Sequence, residues 1–351
     1  MSSFNWISEV EELSPAALTV MAQTVSPNDN GKLKWDIFFP RMNVDSVDLD
    51  DVTTLDYRPT SDRREWNQRG RLIPTKAPTT RKVSIVPVEG YYLWGEYELQ
   101  KLKERSMGNA AIVAQIMMSS VPDKVKGIAM ANYRRLEVDA FTAWALGTIT
   151  QRNPQNAAET FAASFAFDAG RYQTAGTAWN DAGLNAYDEL MDWIDDAIDA
   201  IGGIQGVVSR RNFVREVLAD APDLAGGAKM TWSQLEDRIQ QDKGIEFKFY
   251  PMEDTVEVFT DGGTATTATK VWPAQRVAAV PVGAKVGKSA FAPVVRAMDI
   301  ANALPAAKID TNGQTAYYEE HNNGRELAVE VQVNPLPIPS EQLCYVIDVG
   351  F

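Results

Sequence analysis

The sequence predicts an α+β fold with a discontinuous first domain. Apolar positions at three- and four-residue steps predict one long helix over residues 123–151. Segments that alternate with period two precede it, at 35–57 and 81–95, and more follow after residue 245. The order is therefore a ribbon, a long helix, a strand, helices mixed with strands, and closing strands, which is typical of an α+β protein.

Composition excludes several classes of function. With 351 residues and 45% hydrophobic content, the chain can bury a large core. Cys344 is the only cysteine and His321 the only histidine, so an internal disulfide and a Cys/His zinc site are excluded. No apolar run approaches the 18 residues of a membrane span, and the start shows no secretory signal. We expect a soluble protein made in the cytoplasm, with no metal or cofactor and no contact with a membrane.

The chain begins with a short helical run and a break. The segment 14–35 has a few helix-like residues followed by Pro, Asn and Gly. It has too little apolar surface to close a core, so it predicts an arm.

A basic stretch lies between the first two strand-like segments. Residues 62–82 contain seven basic and two acidic residues, a local charge of +5, whereas the remainder of the chain carries −18. Because strand-like segments flank this stretch, we expect a long two-stranded ribbon with an irregular tip. An isolated ribbon is marginally stable in water, so it must lie on another surface.

The predicted long helix begins after Pro122 and ends before the Arg-Asn-Pro at 152–154. Asp123 is its expected N-cap. Its apolar face is formed by Val125, Ile128, Ala129, Tyr133, Leu136, Ala140, Phe141, Trp144 and Ile149. At ~1.5 Å per residue the helix is roughly 40 Å long, which suits the spine of an elongated domain.

A second helix, within 184–206, is strongly amphipathic and ends at Gly202 and Gly203. Its acidic side is a candidate interface and carries Asp188, Glu189, Asp192, Asp195, Asp196 and Asp199. The six acids form one face of a single helix and have no partner cluster, so a solvated or interface-facing surface is favoured over a metal or acid–base site.

Shorter elements complete the chain. Segments 158–170, 245–251, 255–260 and 276–282 read as strands, and 209–220 and 231–241 as helices with Ser and Thr at their starts. The final third predicts a hairpin around Asn323-Gly324 and a last strand, and His321 lies in its polar turn.

A search for catalytic motifs finds one imperfect match. Residues 283–289 resemble a phosphate-binding loop, but only three residues separate Gly283 from Gly287, and Val282 stands where a glycine is required. Pro293 also interrupts the helix that should follow. We therefore favour a glycine-rich turn between strands, with a phosphate-binding enzyme as the weaker alternative.

The basic stretch allows two interpretations. Trp66 and the arginines beside it suit base stacking and phosphate contact, which would make 62–82 a nucleic-acid-binding module. They equally suit an interface anchor on a protein surface. Because Pro74 and Pro78 stiffen the stretch and identical copies offer a large acidic surface, protein contact is favoured.

Four stretches of the sequence together resemble a known protein family. "KVSIVPVEGYYLWGEYELQKL", "TAWNDAGLNAYDELMDWIDDAIDAIGG", "VVSRRNFVREVLAD" and "KGIEFKFYPMEDTVEVFTDGGTATTATKVWPAQRVAAVPVGAKVGKS" follow the order of a tailed-bacteriophage major capsid protein. The resemblance is to the lambda-type E family with the Hong Kong 97 capsid fold, and it extends from about residue 15 to near the end.

The resemblance implies a domain organisation. It would comprise an N-terminal arm at 1–35, an extended loop at 46–90, a peripheral domain at 36–45, 91–181 and 335–351 with the spine helix 123–151, and an axial domain at 182–334. The inter-subunit contacts of the loop would come from Arg63, Arg64, Trp66, Arg69, Arg71, Lys76, Arg81 and Lys82.

The resemblance also implies a function without catalysis. The chain would assemble with itself, as hexamers and pentamers, into the icosahedral head shell of the virion, and would be made in the cytoplasm of a bacterial host. Packaged DNA would be enclosed without sequence-specific binding. Because only about 35 residues precede the ribbon, the scaffolding protein is expected to be separate; a portal would be a further partner, and a decoration protein is left open.

Overall fold

A computed structural model describes residues 14–26, 33–53, 79–106, 109–153, 156–165, 167–224, 227–259, 266–305, 308–321 and 326–350. The helices are α1 (Pro15–Thr24), α2 (Trp35–Phe38), α3 (Glu96–Arg105), α4 (Ala110–Leu146), α5 (Ala186–Ile201), α6 (Arg211–Asp220), α7 (Trp232–Lys243) and α8 (Val295–Ala303). The strands are β1 (Arg41–Asn43), β2 (Asp48–Thr53), β3 (Thr79–Ser84), β4 (Val88–Trp94), β5 (Thr148–Asn153), β6 (Asn156–Ser164), β7 (Tyr172–Thr174), β8 (Ile204–Ser209), β9 (Lys248–Pro251), β10 (Thr255–Phe259), β11 (Thr266–Lys270), β12 (Arg276–Pro281), β13 (Gly287–Ala292), β14 (Thr315–His321), β15 (Glu326–Pro339) and β16 (Val346–Asp348).

The spine helix α4 exists, but its predicted bounds are wrong at both ends. The helix passes through Pro122, because buried Met117 and Val121 continue its apolar face toward the N-terminus. Asp123 is therefore not an N-cap. The helix ends at Leu146, since Gly147 adopts a left-handed φ of 67° and the chain then enters β5.

A five-stranded sheet packs against the spine helix. It has the order β1-β13-β15-β14, and β4 pairs with β15 as well. Val329, Val331 and Val333 face α4 in one core cluster. Gly90 permits close approach, since a Cβ there would lie 2.7 Å from Cγ2 of Ile128 on the helix.

The expected arm contributes to this core. Leu18 and Ala22 on α1 are fully buried, and the Thr19 hydroxyl donates to the Ala316 carbonyl of β14 at 3.1 Å. The described part of the arm therefore packs on the body.

The prediction of strand-like structure throughout 35–57 is wrong at its start. Residues 35–38 form the helical turn α2, because a turn places Trp35 and Phe38 on one buried face. The Phe38 ring lies 5.1 Å from that of Trp144, which in turn lies 5.4 Å from Trp272. This aromatic group joins the α2 turn to the spine helix.

A second sheet has the order β7-β16-β12-β8-β9 and packs with α5, α6 and α7 around its own core. Helix α5 confirms the predicted amphipathic pattern. The Asn185 side chain caps it by accepting from the backbone of Tyr187 at 3.0 Å, and Gly202 ends it with a φ of 81°.

The local structure differs from the prediction at two other places. Between the predicted strands at 255–260 and 276–282, residues 266–270 form a further strand, β11, because Thr-rich residues pair antiparallel with β10. Ser209 was expected to start a helix, but it is the last residue of β8, and Arg210 precedes α6. Thr231 does begin α7, as predicted, in a capping box with Gln234.

The predicted ribbon and hairpin are confirmed at their strands. Strands β2 and β3 pair antiparallel, from Asp48 opposite Ser84 to Thr53 opposite Thr79. Strands β14 and β15 also pair antiparallel. The tips of both, residues 54–78 and 322–325, lie outside the described residues.

The sheet pairings depart from the domain bounds that the resemblance implies. Strands β13 and β14 fall within the expected axial range, yet they pair with β15 in the first sheet. Strand β16 falls within the expected peripheral range, yet it pairs with β12 and β7 in the second sheet. The 14-residue β15 causes the first difference, because it is long enough to hold β4, β14 and β13 together.

No helix in the described part of the chain has both the length and the apolar character needed to cross a bilayer.

Candidate assembly surfaces

The basic stretch 62–82 lies between strand β2 and strand β3 in the sequence, and its last four residues belong to β3. Arg63, Arg64, Trp66, Arg69, Arg71 and Lys76 lie outside the described residues. Arg81 and Lys82 lie in β3, where the register places them opposite Asp51 and Asp50 of β2. Two of the eight predicted contact residues therefore lie on a strand that the structure describes.

The base of the ribbon is fastened to the body. Ile85 is buried in a third core cluster, and Leu49 and Val83 pack against that cluster. The Ile85 amide donates to the Val47 carbonyl at 2.7 Å, and the Ser84 hydroxyl donates to the Asp48 carboxylate at 2.7 Å. The ribbon thus has one end fixed to the body, and residues 54–78 connect its two strands at the other end.

The predicted acidic face of α5 is exposed. Leu190, Ile194 and Ala197 are fully buried on the opposite side of the helix. The acids Asp188, Asp192, Asp195, Asp196 and Asp199 are exposed, and Glu189 is half-buried. Asp195 accepts from Lys243 of α7 at 2.6 Å. The face is a continuous acidic surface on the second sheet's helical layer.

A second exposed surface was missed by sequence reasoning. Glu89, Tyr91 and Leu93 alternate along β4 on the side opposite Gly90, which faces the spine helix. Tyr91 is 56% exposed and Leu93 37%. We call the side of the first sheet that faces away from α4 the outer sheet face. Its signal in the sequence was obscured by the consecutive Tyr91 and Tyr92, which hide the alternation.

A cleft at the start of α6 was also missed. It encloses about 420 Å³ and is lined by Arg210, Arg211, Asn212, Arg215 and Glu253. Glu253 accepts from the Arg211 amide at 2.7 Å, and this bond, together with Lys270, holds the pKa of the carboxyl below its usual range. A carboxylate of the same chain therefore already occupies the helix N-terminus. The sequence signal was the arginine pair at 210–211 with Arg215 one helical turn later.

A buried carboxyl lies beneath the α2 turn. Glu137 of the spine helix is 1% exposed and accepts from the Lys34 amide at 2.7 Å. Burial, with smaller contributions from the carboxylates of Asp254 and Asp36, raises the pKa of Glu137 to about 7 against the opposing effect of Lys34. The Lys34 ammonium lies 3.5 Å from Asp254.

The weak phosphate-loop alternative is wrong. Gly283 lies in a turn with a φ of 88°, and residues 287–292 form strand β13 rather than a helix. Lys288 is exposed on that strand and Ser289 is buried, so the two side chains cannot converge on one phosphate.

The remaining candidate residues show no site in the described structure. Cys344 is buried, and burial raises the pKa of its thiol. The side chain of His321 lies outside what the structure describes. Among the described residues, no three His, Cys, Asp or Glu side chains are grouped so that they could hold a metal ion.

Comparison with known proteins gives one family. A family model for phage major capsid protein E matches residues 19–346. No curated protein sequence matches the chain.

Solved structures similar to this chain were found at low sequence identity. A protein of an E. coli CFT073 prophage, assigned as its capsid protein, gives a TM-score of 0.50 over 98% of this chain and 97% of that chain, at 11% identity. A phage-related protein of Bordetella bronchiseptica RB50 gives 0.48 over 94% and 95%, at 13% identity. The capsid of Myoviridae phage XM1 gives 0.42 over 86% of both chains, at 13% identity. The first of these similarities shows the fold.

Proposed function

This chain belongs to the phage major capsid protein E family, and we propose that it forms the icosahedral head shell of a phage as hexamers and pentamers. Its fold is the Hong Kong 97-type capsid fold, and its function is that of a shell-forming structural protein. In the proposed shell, the copies enclose the packaged genome.

The observation that supports assembly into a shell is the β2–β3 ribbon. It is fastened at its base, and the 25 residues 54–78 connect its two strands beyond Thr53 and Thr79, at the opposite end. A two-stranded ribbon is marginal alone in water, so the segment needs a surface to lie on. A neighbouring copy supplies such a surface at every position of a closed shell, and many modest contacts then act together.

The charge distribution supports the same partner. Residues 62–82 carry +5 and the rest of the chain −18. The exposed acids of α5 show that much of this negative charge is on the surface. Attraction between the basic segment and an acidic neighbour would guide which surfaces meet more than it would add affinity. An acidic body also suits a wall that must release its DNA.

The proposed role needs no chemistry from the chain. It involves no catalytic residue, cofactor or metal, and the family and fold indicate a structural protein. We further propose that the chain resides in the virion after assembly in the cytoplasm of a bacterial host. A separate scaffolding protein and a portal would take part in assembly.

The test removes the basic charge from the segment. The variant Arg63→Ala/Arg64→Ala/Arg69→Ala/Arg71→Ala should lose shell formation, seen by electron microscopy, while the unassembled chain keeps its wild-type circular dichroism. A matched control removes four exposed basic residues of the body, Arg105, Arg134, Arg215 and Lys285. This control should still form shells.

Other outcomes would contradict the proposal. Normal shells from the four-arginine variant would show that the basic segment does not direct assembly. Loss of DNA affinity by an intact monomer, without any shell from the wild type, would favour the nucleic-acid-binding alternative.

A further inference from the structure

The outer sheet face has a row of side chains on each of three strands. Cross-strand pairing places Glu330 of β15 between Tyr91 of β4 and Tyr317 of β14. It likewise places Ala328 between Leu93 and Glu319. Paired residues point to the same side of a sheet, so tyrosines and carboxylates are interleaved on this face.

One half of this face already binds an arginine. The Arg296 guanidinium, from α8, lies 3.8 Å from the centre of the Tyr317 ring, and Arg296 pairs with the Glu319 carboxylate at 3.1 Å. Tyr317 is only 6% exposed as a result. A guanidinium both stacks on an aromatic ring and pairs with a carboxylate, and this half of the face uses both interactions.

The other half of the face also has a tyrosine beside a carboxylate, but this tyrosine is exposed. Tyr91 is 56% exposed, Leu93 beside it is 37% exposed, and the Glu89 carboxylate lies two residues along the same strand. The Tyr317 hydroxyl donates to Glu89. Burial and the hydrogen bond to Glu89 raise the pKa of Tyr317, so the phenol keeps its proton and remains the donor in this bond. In the described residues, β4 pairs only with β15, so its other edge is open as well.

We propose that the open half, formed by Glu89, Tyr91 and Leu93, binds the basic segment 62–82 of a second copy. An arginine of that segment stacks on Tyr91 and pairs with Glu89, as Arg296 does with Tyr317 and Glu319. Leu93 supplies apolar contact beside it. This inference rests on the proposed function, because it names the surface on which the segment of a neighbour lies.

The occupant is identified by charge and by position. Four arginines lie within the nine residues 63–71, and no other stretch of nine residues in the chain holds four basic residues. The segment 54–78 is flanked by Thr53 and Thr79, which pair with each other at the end of the ribbon farthest from its base. Six strand residues place that end about 20 Å from the base. Strand β4 begins four residues after β3 ends, near the base, so Thr53 and Thr79 lie at the end of the ribbon that is farther from the start of their own β4.

The experiment is a photo-cross-link in assembled shells. Tyr91→benzoylphenylalanine is prepared in isotopically heavy and light forms, which are mixed before assembly and then irradiated. We expect peptides that join residue 91 of one isotope to the segment 62–82 of the other. The same probe at Val282, which is 72% exposed on the β12–β13 turn, is the control and should not reach that segment.

Three results from assembled shells would overturn the inference alone. Cross-links to the segment that never join a heavy to a light peptide would mean that the segment folds back on its own copy. Cross-links to another part of the chain would mean that the face has a different occupant. Shells that form without any cross-link from residue 91 would leave the proposed function standing and this inference wrong. Failure of the wild type to form shells would instead overturn the proposed function, and this inference with it.

A second measurement tests the stacking contact. Tyr91→Ala should raise the chain concentration needed for shell formation about tenfold, whereas Tyr91→Phe should leave it close to wild type. Tyr97→Ala is the matched control, since Tyr97 is 68% exposed and already lies 4.5 Å from the Lys101 ammonium. Equal effects of Tyr91→Ala and Tyr97→Ala would contradict a specific role for Tyr91.

Discussion

Single residues decide how closely the elements of this molecule can pack. Gly90 lets β4 approach the spine helix, because a Cβ at this position would meet the stiff side chain of Ile128 at 2.7 Å. Glu137, by contrast, makes packing less favourable. Its carboxyl is 1% exposed, so the charged form is buried without its hydration, which costs free energy. The Lys34 amide offsets part of this cost and ties the α2 turn to the spine helix.

The buried carboxyl predicts a dependence of stability on pH. The pKa of Glu137 rises from an ordinary value of 4.5 to about 7, so the folded state binds the proton more tightly than the unfolded state. Its contribution to stability is therefore fully present below about pH 4.5 and is lost as the pH rises through 7. Glu137→Gln mimics the protonated form and keeps an acceptor for Lys34. The variant should be about 3 kcal/mol more stable than wild type at pH 8, with little difference at pH 4.

Urea unfolding of the unassembled chain between pH 4 and 8 measures this difference. Glu216→Gln, at an exposed position on α6, is the control and should follow the wild-type curve. A constant difference between Glu137→Gln and wild type across this range would show that Glu137 keeps its ordinary pKa.

At the scale of elements, caps and patterns decide where helices form, and packing decides how far they extend. Helix α5 has an amide cap at Asn185, a left-handed glycine at 202 and a clean apolar face, so all of its signals agree. The spine helix continues through Pro122, where the sequence predicted its start, because buried residues on both sides of the proline hold the helix in place. Local signals therefore specify α5 fully and α4 only in part.

The cap of α5 gives a prediction at this scale. The Asn185 carbonyl oxygen accepts from the amides of Tyr187 at 3.0 Å and Asp188 at 3.3 Å. Asn185→Ala leaves both amides without this partner and should destabilise the chain by about 1 kcal/mol. Asn185→Asp keeps an acceptor oxygen and should be close to wild type. Thermal unfolding of the two variants measures the effect, and an equal loss in both would show that the cap is not its cause.

At the scale of the whole molecule, the charge distribution has two opposing effects on assembly. Copies with a net charge of −13 repel one another, whereas a +5 segment attracts the acidic body of a neighbour. Salt screens both interactions. The Debye screening length is about 10 Å at about 0.1 M salt and about 3 Å at about 1 M. The sign of the salt dependence therefore shows which of them controls the encounter.

We expect attraction to dominate in the wild type. Its rate of shell formation, followed by light scattering, should fall about tenfold between about 0.05 and about 0.5 M salt, because salt in this range screens the attraction between opposite charges. The variant lacking Arg63, Arg64, Arg69 and Arg71 retains the repulsion without the attraction, so any residual assembly should become faster with salt. A wild-type rate that rises with salt would contradict the role assigned to the segment.

The sequence by itself determined what depends on neighbours along the chain. Period and caps identified α5, the strands of the ribbon and the β14–β15 hairpin, and the charge count isolated 62–82 as a unit. The lack of Cys and His clusters removed whole classes of site. These features are read locally because each one depends on residues only a few positions apart.

Only the tertiary structure decided what depends on residues far apart in the chain. The extent of the spine helix, the assignment of β13 and β16 to their sheets, and the raised pKa of Glu137 all follow from distant packing partners. The outer sheet face is the clearest case, because β15 brings Tyr91 and Tyr317 to its two sides across more than 200 residues of sequence. Hydrogen bonds between strands create that surface, and no local period in the sequence encodes it.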